Sequence, residues 1–221
     1  MVNTGAVTGT AAVDTVVFDL GGVIMENGGP RDFTRRYPDH DPAVVAGIVM
    51  GPHHLDTDHQ WHRVERGEIT LAECREITKR MLDDAGIVAT VPPAQPKGGG
   101  FAFSLSSPMV QLVHDLKSAG KSVGILTNNV REFRDFWWPL MDFPSVFDTI
   151  VDSHEVGMRK PNPAIYMLTL ERLGAQPGRT AFLDDLVANV DAARRLGIHG
   201  VHVEEDQSPA IAETRRLAGI D

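Results

Sequence analysis

The sequence predicts an α/β domain built on a parallel sheet, with a helical segment inserted after the first strand. Short β-branched and aromatic runs alternate with helical patterns of about 10 to 15 residues, the order expected of βαβ units. The stretch from about Gly28 to Phe103 breaks that alternation, because it holds helical patterns but no convincing buried strand. A length of 221 residues suits one core domain plus a small lid.

The first apolar run, in VDTVVFDLGGVI, has the composition of a buried strand and stops at Asp19, followed by Gly21 and Gly22. Within the insertion, ITLAECREITKRMLDDAG places Leu71, Cys74, Ile77, Thr78, Met81 and Leu82 on one helical face before Gly86. The tract VPPAQPKGGG, rich in proline and glycine, reads as a loose return linker. Ser107 and Pro108 then make a cap and first turn for SSPMVQLVHDLKSAG, which closes at Gly120. SVGILTNN and FDTIVD follow as strands, Asn162 and Pro163 start the helix PAIYMLTLERLG, and RTAFLDD is the next strand. NVDAARRLG is again a helix ending on glycine, and GIHGVHV is the last strand. The division that results is a core of residues 13–27 and 104–221, with a cap of residues 28–103. The cap should hang over the ends of the strands, where ligands bind in open α/β sheets.

Composition removes several classes of function. Hydrophobic residues at 42% and charged ones at 23% describe an ordinary globular chain and not a disordered one. With 21 Lys plus Arg against 30 Asp plus Glu, the formal charge is -9, and no basic arm offers itself to a nucleic acid. The single Cys74 excludes an intramolecular disulfide and a cysteine-rich zinc site, and it sits as a small helical hydrophobe. The first twelve residues have neither a basic start nor an apolar run, and no 18 consecutive residues are apolar, so a cytoplasmic location without a membrane partner is expected. A monomer and a homodimer are equally compatible with these features.

Polar residues stand at or just beyond the expected strand ends: Asp19, Thr127 with Asn128, Lys160, and Asp184 with Asp185. Parallel strands bring their carboxyl ends to one edge, so these positions should converge on a polar pocket. Carboxylates gathered there would repel one another unless a cation compensated. Oxygen donors without Cys or His favour a hard ion such as Mg2+. Taken one at a time, each has a plainer explanation. Asp19 could form a turn, Asp184 and Asp185 could cap a helix near Leu186, Thr127 and Asn128 could close a strand, and Lys160 could be solvated.

Taken in order, FDLGGVI, ILTNN, RKPNP and FLDDLVANVDAARRLGIHGVHV resemble the four motifs of the haloacid dehalogenase superfamily, in its magnesium-dependent phosphatase branch. Within it the sequence is most similar to the phosphatase-like domains of soluble epoxide hydrolase and of a multidomain acyl-CoA dehydrogenase protein. The resemblance runs from Val13 to about Glu204 and implies a Rossmann-like three-layer core with a small helical cap. It also implies that Asp19 is a nucleophile forming an aspartyl phosphate. Mg2+ would be held by Asp19, the backbone carbonyl of Gly21, and Asp185, with Asp184 reaching it directly or through water. Thr127 and the Asn128 N–H would contact the substrate phosphate, Lys160 would pair with nucleophile and phosphate, and Asn189 would orient Lys160 or its loop. The implied substrate is a small phosphorylated metabolite.

One position departs from the pattern. Family phosphatases carry a second Asp two residues after the nucleophile as general acid and base, and here that residue is Gly21. Losing that proton transfer should cost about 3 to 5 kcal/mol of transition-state stabilisation. A substrate with a good leaving group, such as a sugar 1-phosphate, would need little protonation. Alternatively the cap could supply the proton from His53, His54, His59 or Glu26. A third outcome is a module that binds phosphate ligands with little or no turnover. A metal-independent 2-haloacid dehalogenase also lacks the second Asp, but Asp184 and Asp185 would repel a haloacid. For specificity, HQWHRVERGEIT offers Trp61 as an apolar wall and Arg63 as a charged contact, although Trp61 and Val64 share a face suited to packing the cap. Phe133, Phe136, Trp137 and Trp138 in FRDFWWPL are core residues first, and otherwise a dimer surface or substrate wall.

Overall fold

The structure is a computed structural model and describes residues 12–26, 33–92 and 103–220. Its core is a five-stranded parallel sheet in the order β5-β4-β1-β6-β7. The strands are β1 (Thr15–Phe18), β4 (Ser122–Thr127), β5 (Thr149–Asp152), β6 (Thr180–Asp184) and β7 (His199–His202). β1 is buried along its whole length because it lies between β4 and β6 and is covered on both faces. Side chains alternate between the two faces, and each face has its own core. Val16 and Phe18 pack with Met109, Leu112, Val113 and Leu116, whereas Val17 packs with Ile165, Tyr166, Leu170 and Phe182.

The helices that supply these layers are α4 (Ser107–Ser118), α8 (Pro163–Leu173), α9 (Val187–Arg195) and α10 (Ser208–Ala218). Asn162 caps α8 as expected, accepting a 3.0 Å hydrogen bond from the Ala164 N–H. The start of α4 differs by one residue from the sequence reading. Its cap is Ser106, which has extended backbone angles and accepts from the Met109 N–H at 3.4 Å, so Ser107 is already helical. Between β4 and β5 lie the short helices α5 (Arg134–Trp137) and α6 (Phe143–Val146), where Trp137 is fully buried edge-on against Phe143. α7 (Ser153–Val156) follows β5 directly.

The inserted segment leaves and returns along a two-stranded antiparallel ribbon, β2 (Met25–Glu26) with β3 (Ser104–Leu105). Between them are α1 (Pro42–Val49), α2 (Gln60–Glu65) and α3 (Leu71–Asp84). A capping box starts α3, with Thr70 and Glu73 bonding reciprocally. Its buried residues are Leu71, Cys74 and Leu82, while Met81 is 37% exposed, so its packed face is narrower than the periodicity suggested. Gln60 joins the helices by donating to the Ile48 carbonyl at 2.7 Å and to Thr78 at 3.1 Å. One apolar cluster, Val64, Leu71, Cys74 and Val130, spans insertion and core, because Val130 follows β4. The amino-terminal tail (residues 1–11) and most of the proline- and glycine-rich tract (93–102) lie outside the described residues. Among those described, no helix is long and apolar enough to cross a membrane.

Candidate active site

The carboxyl ends of β1, β4 and β6, together with the inserted helices, enclose a cavity of about 260 Å³. Asp19, Gly21, Thr127, Asn128, Lys160, Asp185 and Asn189 line its floor. Of the expected site residues, Asp184 does not line the cavity. It is fully buried just beneath, at the end of β6.

Lys160 organises the floor. Its ammonium reaches Asp19 Oδ1 at 2.9 Å, Asp184 Oδ2 at 2.6 Å and the Leu126 carbonyl at 3.0 Å, so its three donors are all engaged. Asn189 Nδ2 stands 3.1 Å from each Asp184 oxygen, and the Leu186 N–H donates to Oδ1 at 2.8 Å. Asn189 is held in turn by Tyr166, whose hydroxyl donates to its carbonyl at 3.0 Å. Asn189 therefore acts on Asp184, and through it on Lys160. The loop of Lys160 is fastened to β4 by Asn128, whose side chain donates to the Lys160 carbonyl at 2.9 Å and accepts from the Lys160 N–H at 2.7 Å.

Burial raises the Asp19 pKa to about 7, with Lys160 opposing the shift and Asp184 and Asp185 adding to it. Lys160 is disfavoured as a cation by its burial, but Asp184 and Asp19 outweigh that and raise its pKa. Asp19 and Asp184 share the Lys160 ammonium, and Asp185 adds a third carboxylate close enough to Asp19 to raise its pKa. Asp19, Asp184 and Asp185 each offer an oxygen, and these lie within 4.8 Å of one another, a span a single hard cation can bridge. Gly22 leaves the space for this. Its φ is +75°, and a Cβ there would sit 2.6 Å from Asp185 Oδ2. The donor set is oxygen alone and fits magnesium better than a softer metal.

The roof is supplied by Met50, His53, Trp61 and Glu65 of the insertion, with Val130 and Phe133 as apolar wall. Trp61 packs against the Val64 cluster and also lines the cavity, so both sequence readings of it meet at this position. Arg63 does not line it. Its guanidinium lies on the outer side of α2, near Asp58 at 3.7 Å and Glu68 at 3.5 Å. The cavity's arginine is Arg159, 3% exposed, which donates to Glu65 at 2.6 Å and to the Leu55 carbonyl at 2.8 Å. Glu65 also accepts from Trp61 Nε1 at 2.9 Å. Sequence reasoning missed Arg159 and Glu65, although Arg159 adjoins Lys160 within RKPNP. Of the four candidate proton donors, only His53 lines the cavity. His59 instead caps α2 through Nδ1, and Glu26 lies on β2 within reach of the Ser104 hydroxyl at 3.3 Å.

A parallel sheet with a carboxylate just beyond the end of its central strand, a polar floor and helices of the insertion above it suits a hydrolase. The chain belongs to the haloacid dehalogenase-like hydrolase family, whose model matches residues 13–197. It is 33% identical over 171 residues to bifunctional epoxide hydrolase 2 of Sus scrofa, covering 72% of this chain and 30% of that protein. It is 28% identical over 166 residues to the sesquiterpene phosphatase astK of Aspergillus oryzae, covering 72% and 79%. A solved Bacteroides thetaiotaomicron enzyme of the family, in complex with magnesium and inorganic phosphate, superposes with a TM-score of 0.60 at 21% identity over 88% of this chain and 96% of that one. The chain spans between 20% and 30% of the length of the larger curated relatives it matches.

Proposed function

We propose that this chain is a magnesium-dependent phosphomonoesterase that acts on a small phosphorylated metabolite through an aspartyl phosphate on Asp19. The observation that carries the reading is the floor itself: three carboxylates with oxygens within 4.8 Å, one of them 2.9 Å from a buried lysine. A 2-haloacid needs no such concentration of negative charge, whereas a phosphate ester arriving with a divalent cation balances it. The magnesium-and-phosphate complex of the Bacteroides enzyme and the phosphatase among the relatives support the same reading.

Asp19, the Gly21 carbonyl and Asp185 would hold the ion, which supplies charge neutralisation for the transferring phosphoryl oxygens. Asp184 is already bonded to Lys160, Asn189 and the Leu186 N–H, so its contribution would pass through water or through its hold on Lys160. Asp19 attacks phosphorus from the floor. Lys160 keeps its carboxylate oriented, and Thr127 and the Asn128 N–H receive the phosphoryl oxygens. A sugar 1-phosphate suits the site because its anomeric leaving group needs little protonation where Gly21 stands in place of an acid.

The test is phosphate release from a panel of monoesters with magnesium or EDTA, by wild type and Asp19→Asn. Release that needs the metal and disappears in the variant supports the reading. Halide release from 2-haloacids in EDTA overturns it, as does phosphate binding without turnover of even acyl phosphates.

A further inference from the structure

We propose that His53 is the general acid and base of this site and replaces the carboxylate that Gly21 lacks. The inference rests on the phosphatase reading above and deepens it. In-line displacement puts nucleophile and leaving oxygen on opposite sides of phosphorus. Asp19 rises from the floor, so the leaving oxygen faces the roof, and a proton donor has to stand there.

Among the described residues that line the cavity, six carry titratable side chains: Asp19, Asp185, Glu65, Arg159, Lys160 and His53. Asp19 is the nucleophile and Asp185 belongs to the cation. Lys160 has all three donors engaged, two of them on carboxylates. Glu65 accepts from Trp61 on one oxygen and from Arg159 on the other, so a proton placed on it would break a bond 2.9 Å or 2.6 Å long. Arg159 does not release a proton in a protein. His53 is left, on the roof. It is also exposed, so it can exchange its proton with water between half-reactions.

The turn that carries His53 is held in place. Gly51 has φ +70° and lies against His59, where a Cβ would meet the ring at 2.7 Å. The Leu55 N–H closes onto the Pro52 carbonyl at 3.3 Å. The Leu55 carbonyl in turn accepts from Arg159, the neighbour of Lys160, so the turn is tied to the loop that holds the nucleophile's partner.

The chemistry balances. Asp19 forms the P–O bond as the P–O bond to the leaving group breaks, and the His53 imidazolium gives its proton to the departing alkoxide. The neutral imidazole then takes a proton from the water that attacks the aspartyl phosphate, which releases phosphate and the Asp19 carboxylate.

The experiment compares wild type, His53→Gln and Asp19→Asn, all with magnesium, on acetyl phosphate, substituted phenyl phosphates and an alkyl phosphate, with calorimetric binding of inorganic phosphate as a second readout. His53→Gln should lose about 100-fold in kcat/KM on the alkyl ester, progressively less as the leaving group improves, and no more than about 3-fold in kcat/KM on acetyl phosphate, while kcat falls even on acetyl phosphate because the water attacking the shared aspartyl phosphate loses its base. Its phosphate affinity should match wild type. An equal loss in kcat/KM across the series, or none, overturns the assignment. If Asp19→Asn hydrolyses acetyl phosphate as fast as wild type, the phosphatase reading itself fails, and this assignment with it.

Discussion

The raised pKa of Asp19 has a consequence for stability opposite to what removing a functional residue usually brings. In the metal-free protein the carboxyl titrates at about 7 against 3.8 in the unfolded chain. The folded state therefore binds the extra proton across that window. The contribution of Asp19 is fully present below pH 3.8 and is lost as the pH rises through about 7. Burial disfavours the charged form, so ionising Asp19 above pH 7 costs the fold at most roughly 4 kcal/mol. Asp19→Asn removes that penalty but also removes the 2.9 Å ion pair, leaving Lys160 with Asp184 and the Leu126 carbonyl. The net expectation is a stabilisation of about 1 to 3 kcal/mol at pH 8 in EDTA, or a gain of some 3 to 10 °C in Tm for a chain of this size. The gain should shrink toward pH 5, where wild-type Asp19 is protonated. Thermal melts of both proteins from pH 5 to 8 in EDTA measure the difference directly. A variant less stable than wild type at pH 8, or a difference independent of pH, would refute the electrostatic argument.

Three further outcomes are expected. Gly22→Ala places a methyl 2.6 Å from Asp185 Oδ2 on a left-handed backbone, and should weaken magnesium binding about 10-fold or more in a calorimetric titration; unchanged affinity would remove Asp185 from the metal site. Arg159→Met leaves Glu65 buried without its cation and should cost about 3 to 5 kcal/mol in urea unfolding, while the double variant with Glu65→Met recovers part of the loss, which additivity would contradict. His62 is buried with Nδ1 accepting from the Thr57 N–H, and burial, with Arg159 and His59 nearby, lowers its pKa to about 4. Its contribution to stability is full above pH 6.5 and is lost as the pH falls through about 4. An NMR titration of the ring near 6.5 would contradict this.

Asp19, Thr127 and Asp184 were legible from sequence because they stand at the ends of short buried runs, whereas Lys160, grouped with the strand ends in the sequence reading, lies in the loop beyond α7, and Asn189 lies within α9. Parallel register then brings Asp19, Thr127 and Asp184 to one edge whatever the loops between them do. The roof was not legible in the same way. Arg63 and Trp61 are two residues apart on α2, which turns one toward the cavity and the other toward Asp58 and Glu68, and only the docking of α2 decides which. The same docking selects Glu65 as the partner of Arg159, a pair joined across 94 positions that no local pattern announces. Histidines 53, 54 and 59 share one loop, and nothing in their local sequence distinguishes His53, which lines the cavity, from His59, which caps α2.

The central claim is that Asp19 carries the phosphoryl group during turnover. Acid quenching of the enzyme during steady-state hydrolysis, followed by peptide mapping by mass spectrometry, tests it most directly. The account predicts an acyl phosphate on the Asp19 peptide that requires magnesium and is absent from Asp19→Asn. A phosphoryl adduct on another residue, or hydrolysis that persists in Asp19→Asn, would contradict it.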